Sequence, residues 1–105
     1  MRIAVPTEDG LHIFPGMLGR AKLIYIYQLR EGGKFSLLEK RGNPYADTMQ
    51  HLKTLDVYEL LKDCEVIVAG KIGKRGMGRL EERGMKLLLR KGSIIEALAE
   101  LSKEA

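Results

Sequence analysis

The sequence predicts an α/β domain: an open, five-stranded mixed sheet in the order 3-2-1-4-5, with the second strand antiparallel and helices on both faces. Three observations lead there. A continuous apolar run, Val66-Ile67-Val68-Ala69, closes at Gly70 and reads as a strand buried on both faces. The first forty residues carry β-branched and aromatic segments separated by turn signals, the pattern of a three-strand antiparallel meander. The second half alternates helical and strand patterns, so right-handed crossovers carry the fourth and fifth strands to the far side of the first.

In chain order, Arg2 to Thr7 is the first strand, and Pro6 marks where its pairing ends. Residues 8–20 form a loop with Gly10, Pro15, Gly16 and Gly19, long enough inside a compact domain to suggest a function. Lys22 to Leu29 is a strand rich in Ile and Tyr, Glu31-Gly32-Gly33-Lys34 is a hairpin turn, and Phe35 to Lys40 returns as the third strand. After the irregular stretch Arg41 to Ala46, a helix is expected over Asp47 to Lys62. It would be supported by capping boxes at Asp47…Gln50 and Asp56…Glu59, with Leu52, Leu55, Leu60 and Leu61 inward. The buried strand follows, then a helix from about residue 76 to 83 that Gly84 ends, a last strand over Met85 to Arg90, and a helix over Ile94 to Lys103 with a Ser93…Glu96 capping box. Ile3, Val5, Ile24, Ile26, Val66, Val68, Leu88 and Leu98 are expected in the core.

At 105 residues the chain reads as one domain, residues 1–105, able to bury roughly 65% of its unfolded surface without staples. Its single cysteine, Cys64, excludes an internal disulfide and a four-thiolate metal or cluster site from one chain. Cys64 precedes the fourth strand and so falls at the opposite end of the sheet from the loops discussed next, where it reads as a small hydrophobe. A net charge of +4, spread among many Glu, permits a polyanion partner without demanding one. Abundant charge with few Asn and Gln resembles heat-adapted usage, and the absence of a long apolar segment or signal pattern predicts a cytoplasmic protein with no membrane partner.

The topology gathers the segments after strands one, three, four and five at one edge, where the first and fourth strands diverge as in ligand-binding α/β sheets. The loop after the fourth strand places Gly70, Gly73, Gly76 and Gly78 around Lys71, Lys74 and Arg75 and opens onto a helix, a pattern suited to anions. A plain connection with surface lysines is the competing reading, and neither the P-loop nor the dinucleotide fingerprint fits. Candidate ligand-binding residues are therefore Arg20, Gly70, Lys71, Gly73, Lys74, Arg75 and Gly76, with His12 and His51 as candidate metal ligands.

The opening M-R-I-A-V-P-T, the stretch Met17-Leu18-Gly19-Arg20-Ala21 before a Tyr-rich strand, Asn43-Pro44, and G-K-I-G-K-R-G-M-G-R-L-E-E-R-G-M-K followed by Ile-Ile-Glu-Ala-Leu resemble the dinitrogenase iron–molybdenum cofactor biosynthesis family, the NifX-like domain, over Met1 to about Leu101. That resemblance implies a three-layer ribonuclease-H-like fold. It also implies a role in binding or carrying an iron–sulfur or iron–molybdenum cluster precursor, with cluster donor or acceptor proteins as partners. Where the family reads His-Phe-Gly this chain has Met17-Leu18-Gly19, so a thioether replaces the imidazole expected to face a cluster. His51 resembles a histidine that many relatives carry near the first helix.

A two-metal nuclease would need several carboxylates beside strands one and four; Asp9 lies just beyond strand one and Asp47 is a candidate nearby, but strand four ends in Ala69-Gly70-Lys71 and supplies none, and Lys71, Lys74 and Arg75 oppose cations. No nucleophile–base pair is evident, so a non-catalytic protein is expected. The leading reading is a carrier holding a prefabricated cluster or other anion at the sheet edge, colourless and without cofactor when isolated. The alternative is a nucleic-acid or polyanion module using Arg20, Lys71, Lys74, Arg75 and Arg79, which ranks lower because few aromatic side chains are available to stack bases. A monomer or weak homodimer is expected, the third strand being an exposed edge.

Overall fold

A computed structural model describes residues 1–46 and 54–104. Around the central strands the sheet order is β3-β2-β1-β4-β5, formed by β1 (Arg2–Thr7), β2 (Leu23–Leu29), β3 (Phe35–Gly42), β4 (Val66–Ala69) and β5 (Lys86–Leu89). β2 is antiparallel to both neighbours, and β1, β4 and β5 run parallel, as the crossover argument requires. The helices are α1 (Thr54–Leu61), α2 (Lys74–Glu82) and α3 (Ile94–Glu104).

Strand alternation sorts the core into two layers. On one face Ile3, Val5, Tyr27, Leu29, Val66 and Val68 pack under Ile94, Leu98 and Leu101 of α3. On the other, Ala4, Ile24, Ile26, Ile67 and Ala69 meet Val57 and Leu61 of α1 and Leu80 of α2. All four residues of β4 are buried, which is why its sequence shows no polar alternation. Tyr25 and Tyr27 share the α3 face, with ring centroids 6.4 Å apart, so neither is free to stack a base.

Several boundaries differ from expectation. Asp47…Gln50, His51 and Leu52 lie outside the described residues. The proposed Asp56…Glu59 box does not start a helix, because α1 is already helical at Thr54 and Asp56 sits in a running turn. α2 begins two residues earlier than read, at Lys74, with Gly73 as its N-cap. Leu88 is half-buried rather than buried, since β5 is an edge strand that only β4 covers. The turn before β3 is a short 3-10 segment in which Gly32 and Gly33 both take positive φ.

On the α1 face of the sheet, Arg41 of β3 reaches the Leu60 carbonyl and both carboxylate oxygens of Asp63, which precedes β4, while Arg2 of β1 also donates to Asp63. The Arg41 guanidinium holds the Asp63 carboxyl well below the usual carboxylate range. A depressed carboxylate pKa contributes stability that is present above the ordinary value of about 4 and is lost as pH falls through the folded value. Urea midpoints of the wild type should therefore drop below about pH 4, and Asp63→Asn should flatten that drop while lowering stability at neutral pH.

The loop after β1 returns across the end of β4. A Cβ on Gly70 would lie 2.5 Å from the Phe14 carbonyl oxygen and 3.1 Å from the Cα of Pro15, both main-chain atoms that cannot rotate away. Gly70→Ala should thus destabilise the fold by about 1–3 kcal/mol in equilibrium denaturation, despite adding a single methyl group to a surface turn.

Candidate functional site

The parallel strands β1, β4 and β5 end at one edge of the sheet, and residues 8–20 lie along it. Main-chain bonds fix their path: Ile13 N–H donates to Gly92 O (2.8 Å), Phe14 N–H to Pro6 O (2.8 Å) and Leu18 N–H to Lys71 O (2.9 Å). Isolated bridges pair His12 with Ser93 and Met17 with Lys71. The divergence point between β1 and β4 is therefore filled by Phe14 and Pro15 instead of standing open, and any ligand meets a surface laid over the strand ends.

The loop is organised by two side chains on its own first turn. Thr7, fully buried, donates from Oγ1 to His12 O (2.6 Å) and accepts the Gly10 N–H (3.0 Å). Oδ1 of Asp9 accepts the N–H groups of Leu11 and His12, each at 2.8 Å, and Oδ2 meets His12 Nδ1 at 2.7 Å. The His12 side-chain bond, then the main-chain bonds from His12 and Leu11, hold the Asp9 carboxyl well below the usual range. The His12 side chain is 65% exposed, and only its Nδ1 takes part in this network. Spacing such as T-x-D-x-x-H carries the signal for this Asx-type turn, which sequence reasoning missed by treating Asp9 only as a metal ligand.

Farther along, Asn43 is buried and anchors the entry to β2: its Nδ2 donates to Gly19 O and Ala21 O, both at 2.9 Å. That bond pair places Arg20, exposed at the end of a 3-10 turn over Leu18–Arg20. Lys71 is exposed and its carbonyl is spent on Leu18. Gly73 caps α2 without a side-chain bond, leaving the first-turn amides of Lys74, Arg75 and Gly76 with no intrahelical acceptor. A serine at this position would close that turn; glycine leaves it open. Met17, 37% exposed, brings its methyl end beside Gly73, so the thioether overlooks the open first turn.

The structure gathers Lys71, Gly73, Lys74, Arg75 and Gly76 at the start of α2, joins to them the 3-10 turn that carries Arg20 through Leu18 N–H and Lys71 O, and sets His12 at the β5 end of the same loop. Gly70 belongs to the packing of the loop. His51 lies outside the described residues. The ion pairs among the described residues engage Arg2, Arg41, Lys62 and Arg90 and leave out Arg20, Lys71, Lys74, Arg75 and Arg79. No group of three or more His, Cys, Asp or Glu side chains among the described residues is placed to hold a metal ion, and none of their helices is long and apolar enough to cross a membrane. Cys64, buried among apolar side chains at the opposite end, has its thiol pushed up to about 12, with burial as the main cause.

Removing the loop's central hydroxyl tests this construction. Thr7→Val leaves the Gly10 N–H and His12 C=O without their partner and should cost about 1–3 kcal/mol, with amide exchange accelerating first at Gly10 and His12.

A family model described as dinitrogenase iron-molybdenum cofactor matches residues 1–104. No curated protein matches the sequence. Among solved structures, the protein PH0822 superposes with a TM-score of 0.79 at 19% identity, covering 99% of this chain and 92% of that one. A provisionally assigned NifB protein from Thermotoga (TM1290), placed in the DUF35 family, gives 0.66 at 23% identity, covering 97% and 87%. A provisionally assigned dinitrogenase (mj0327) from Methanocaldococcus jannaschii gives 0.68 at 9% identity, covering 99% and 89%. At these identities the structural likeness establishes the fold.

Proposed function

Because the chain belongs to the dinitrogenase iron–molybdenum cofactor family, we propose that it is a non-catalytic carrier that takes up a preassembled, anionic iron-containing cluster at the carboxy-terminal edge of its sheet. The observation that carries this reading is the set of exposed cations at the uncapped start of α2, Lys71, Lys74 and Arg75, with Arg20 on the adjoining 3-10 turn, none of which forms an ion pair with the described residues. Uncompensated cations beside a helix N-terminus favour an anion, each contact contributing a few tenths to about 1 kcal/mol.

The donor set suits delivery and release better than assembly. Building a cluster calls for thiolates, and the one cysteine is buried and protonated at the far end. Charge and a single-point ligand would hold a finished cluster loosely enough to pass it to an acceptor protein. A filled divergence point likewise favours a cargo resting on the surface over a substrate enclosed for reaction.

Anaerobic mixing with a preassembled cubane iron–sulfur cluster capped by small thiolates, followed by gel filtration and visible absorption, tests the proposal. The wild type should carry colour through the column, and the triple variant Lys71→Gln, Lys74→Gln, Arg75→Gln should lose about tenfold or more in retention, given three contacts of the size above. Equal retention by both would remove the cationic edge from the mechanism. Absence of cluster binding by the wild type, together with salt-sensitive binding of an oligonucleotide, would instead favour the polyanion reading of the same residues.

A further inference from the structure

The loop after β1 presents one imidazole, His12, and its surroundings are built rather than incidental. Both oxygens of Asp9 are committed: Oδ1 to the Leu11 and His12 amides, Oδ2 to His12 Nδ1 at 2.7 Å. An ionised carboxylate only accepts hydrogen bonds, so Nδ1 must carry the proton and donate it. In the neutral ring of this 65% exposed side chain the lone pair is then on Nε2, which makes no hydrogen bond with the described residues. Buried Thr7 fixes the main chain beneath, through the His12 carbonyl at 2.6 Å. Opposite lies Ser93: the bonds from Ile94 N–H to Leu11 O and from Ile13 N–H to Gly92 O flank the His12–Ser93 bridge, the arrangement of a non-hydrogen-bonded antiparallel pair with Cα atoms about 4.5 Å apart. His12 is thereby held from both sides, by Asp9 along its own turn and by the start of α3 across the bridge.

We propose that Asp9 is a positioning residue that locks His12 in the Nδ1-protonated form, so that His12 Nε2 serves as the imidazole ligand for the cluster at this edge. The inference rests on the carrier reading above and names the ligand atom within it. A carboxylate that accepts the second ring N–H is the usual support of a metal-binding histidine, and losing such support costs roughly 10–100-fold in affinity.

Asp9→Asn makes a specific prediction. The two main-chain amides will keep the asparagine oxygen at the Oδ1 position, which turns the amide NH2 toward His12 Nδ1. Donor then faces ring nitrogen, the proton moves to Nε2, and the exposed atom loses its lone pair. Nitrogen NMR of the imidazole should show protonated Nδ1 in the wild type and protonated Nε2 in Asp9→Asn, with the amide shifts of the β-strands unchanged. Retention of the thiolate-capped cubane cluster should fall roughly 10–100-fold in Asp9→Asn and at least as far in His12→Ala, a substitution at an exposed position that leaves the fold intact. Cluster retention by the wild type with no loss in either variant would overturn this inference while leaving the carrier reading standing. An unchanged tautomer in Asp9→Asn would overturn the positioning role, and no retention by the wild type would overturn the carrier reading and the ligand assignment together.

Discussion

Much of this molecule follows from how closely the Phe14 carbonyl approaches Gly70. With no side chain at the end of β4, the loop leaving β1 can cross the strand ends in contact with them, and its main chain finds partners at Pro6, Lys71 and Gly92 on the way. A buried loop normally leaves polar main-chain groups stranded. Here the strand ends supply acceptors, and Thr7 and Asp9 supply the rest from within the turn. The crossing sets His12 beside Ser93 and Met17 beside the start of α2. What would be an open crevice in many α/β sheets becomes a furnished surface, and the chemistry available there is that of exposed side chains rather than of an enclosed cavity.

How much of this was legible in the residues depends on the length scale of the signal. The sheet order was readable because it follows from strand polarity and crossover handedness, and the apolar run Val66 to Ala69 marks a strand buried on both faces. The cationic loop was readable because glycines and basic side chains are adjacent in sequence. The packing role of Gly70 was not readable: local sequence shows that a glycine is present, but not that Phe14, fifty-six positions away, presses against it. Asp9 and His12 sit in plain view, yet their pairing depends on the turn that Thr7 pins, a three-dimensional fact carried by short polar residues. Leu88 is half-buried because β5 lies at the border of the sheet, a position the predicted strand order already implies but that an apolar run taken by itself does not show.

The third strand illustrates a different kind of constraint. β3 is the other border, with Leu37 and Leu38 exposed at 42% and 46%. Such a strand invites pairing with another copy. The register shifts between Ile26 and Tyr27, leaving Leu38 as the extra residue of a bulge, and Arg41 is drawn toward Asp63 at the strand's end. Both features twist or occupy the rim that a second chain would need. Family membership and fold thus coexist with a border that the chain itself makes awkward to extend.

Burial of Cys64 has a practical corollary. Thiol reagents attack the thiolate, and burial pushes the Cys64 thiol well above its ordinary range, so little of it is ionised at neutral pH, before steric shielding by its apolar neighbours is counted. The native chain therefore offers maleimide dyes and spin labels almost no background. A cysteine introduced on exposed β3 or α3 surface would react alone, making distance measurements between a tagged position and a paramagnetic cargo feasible without first removing the natural thiol.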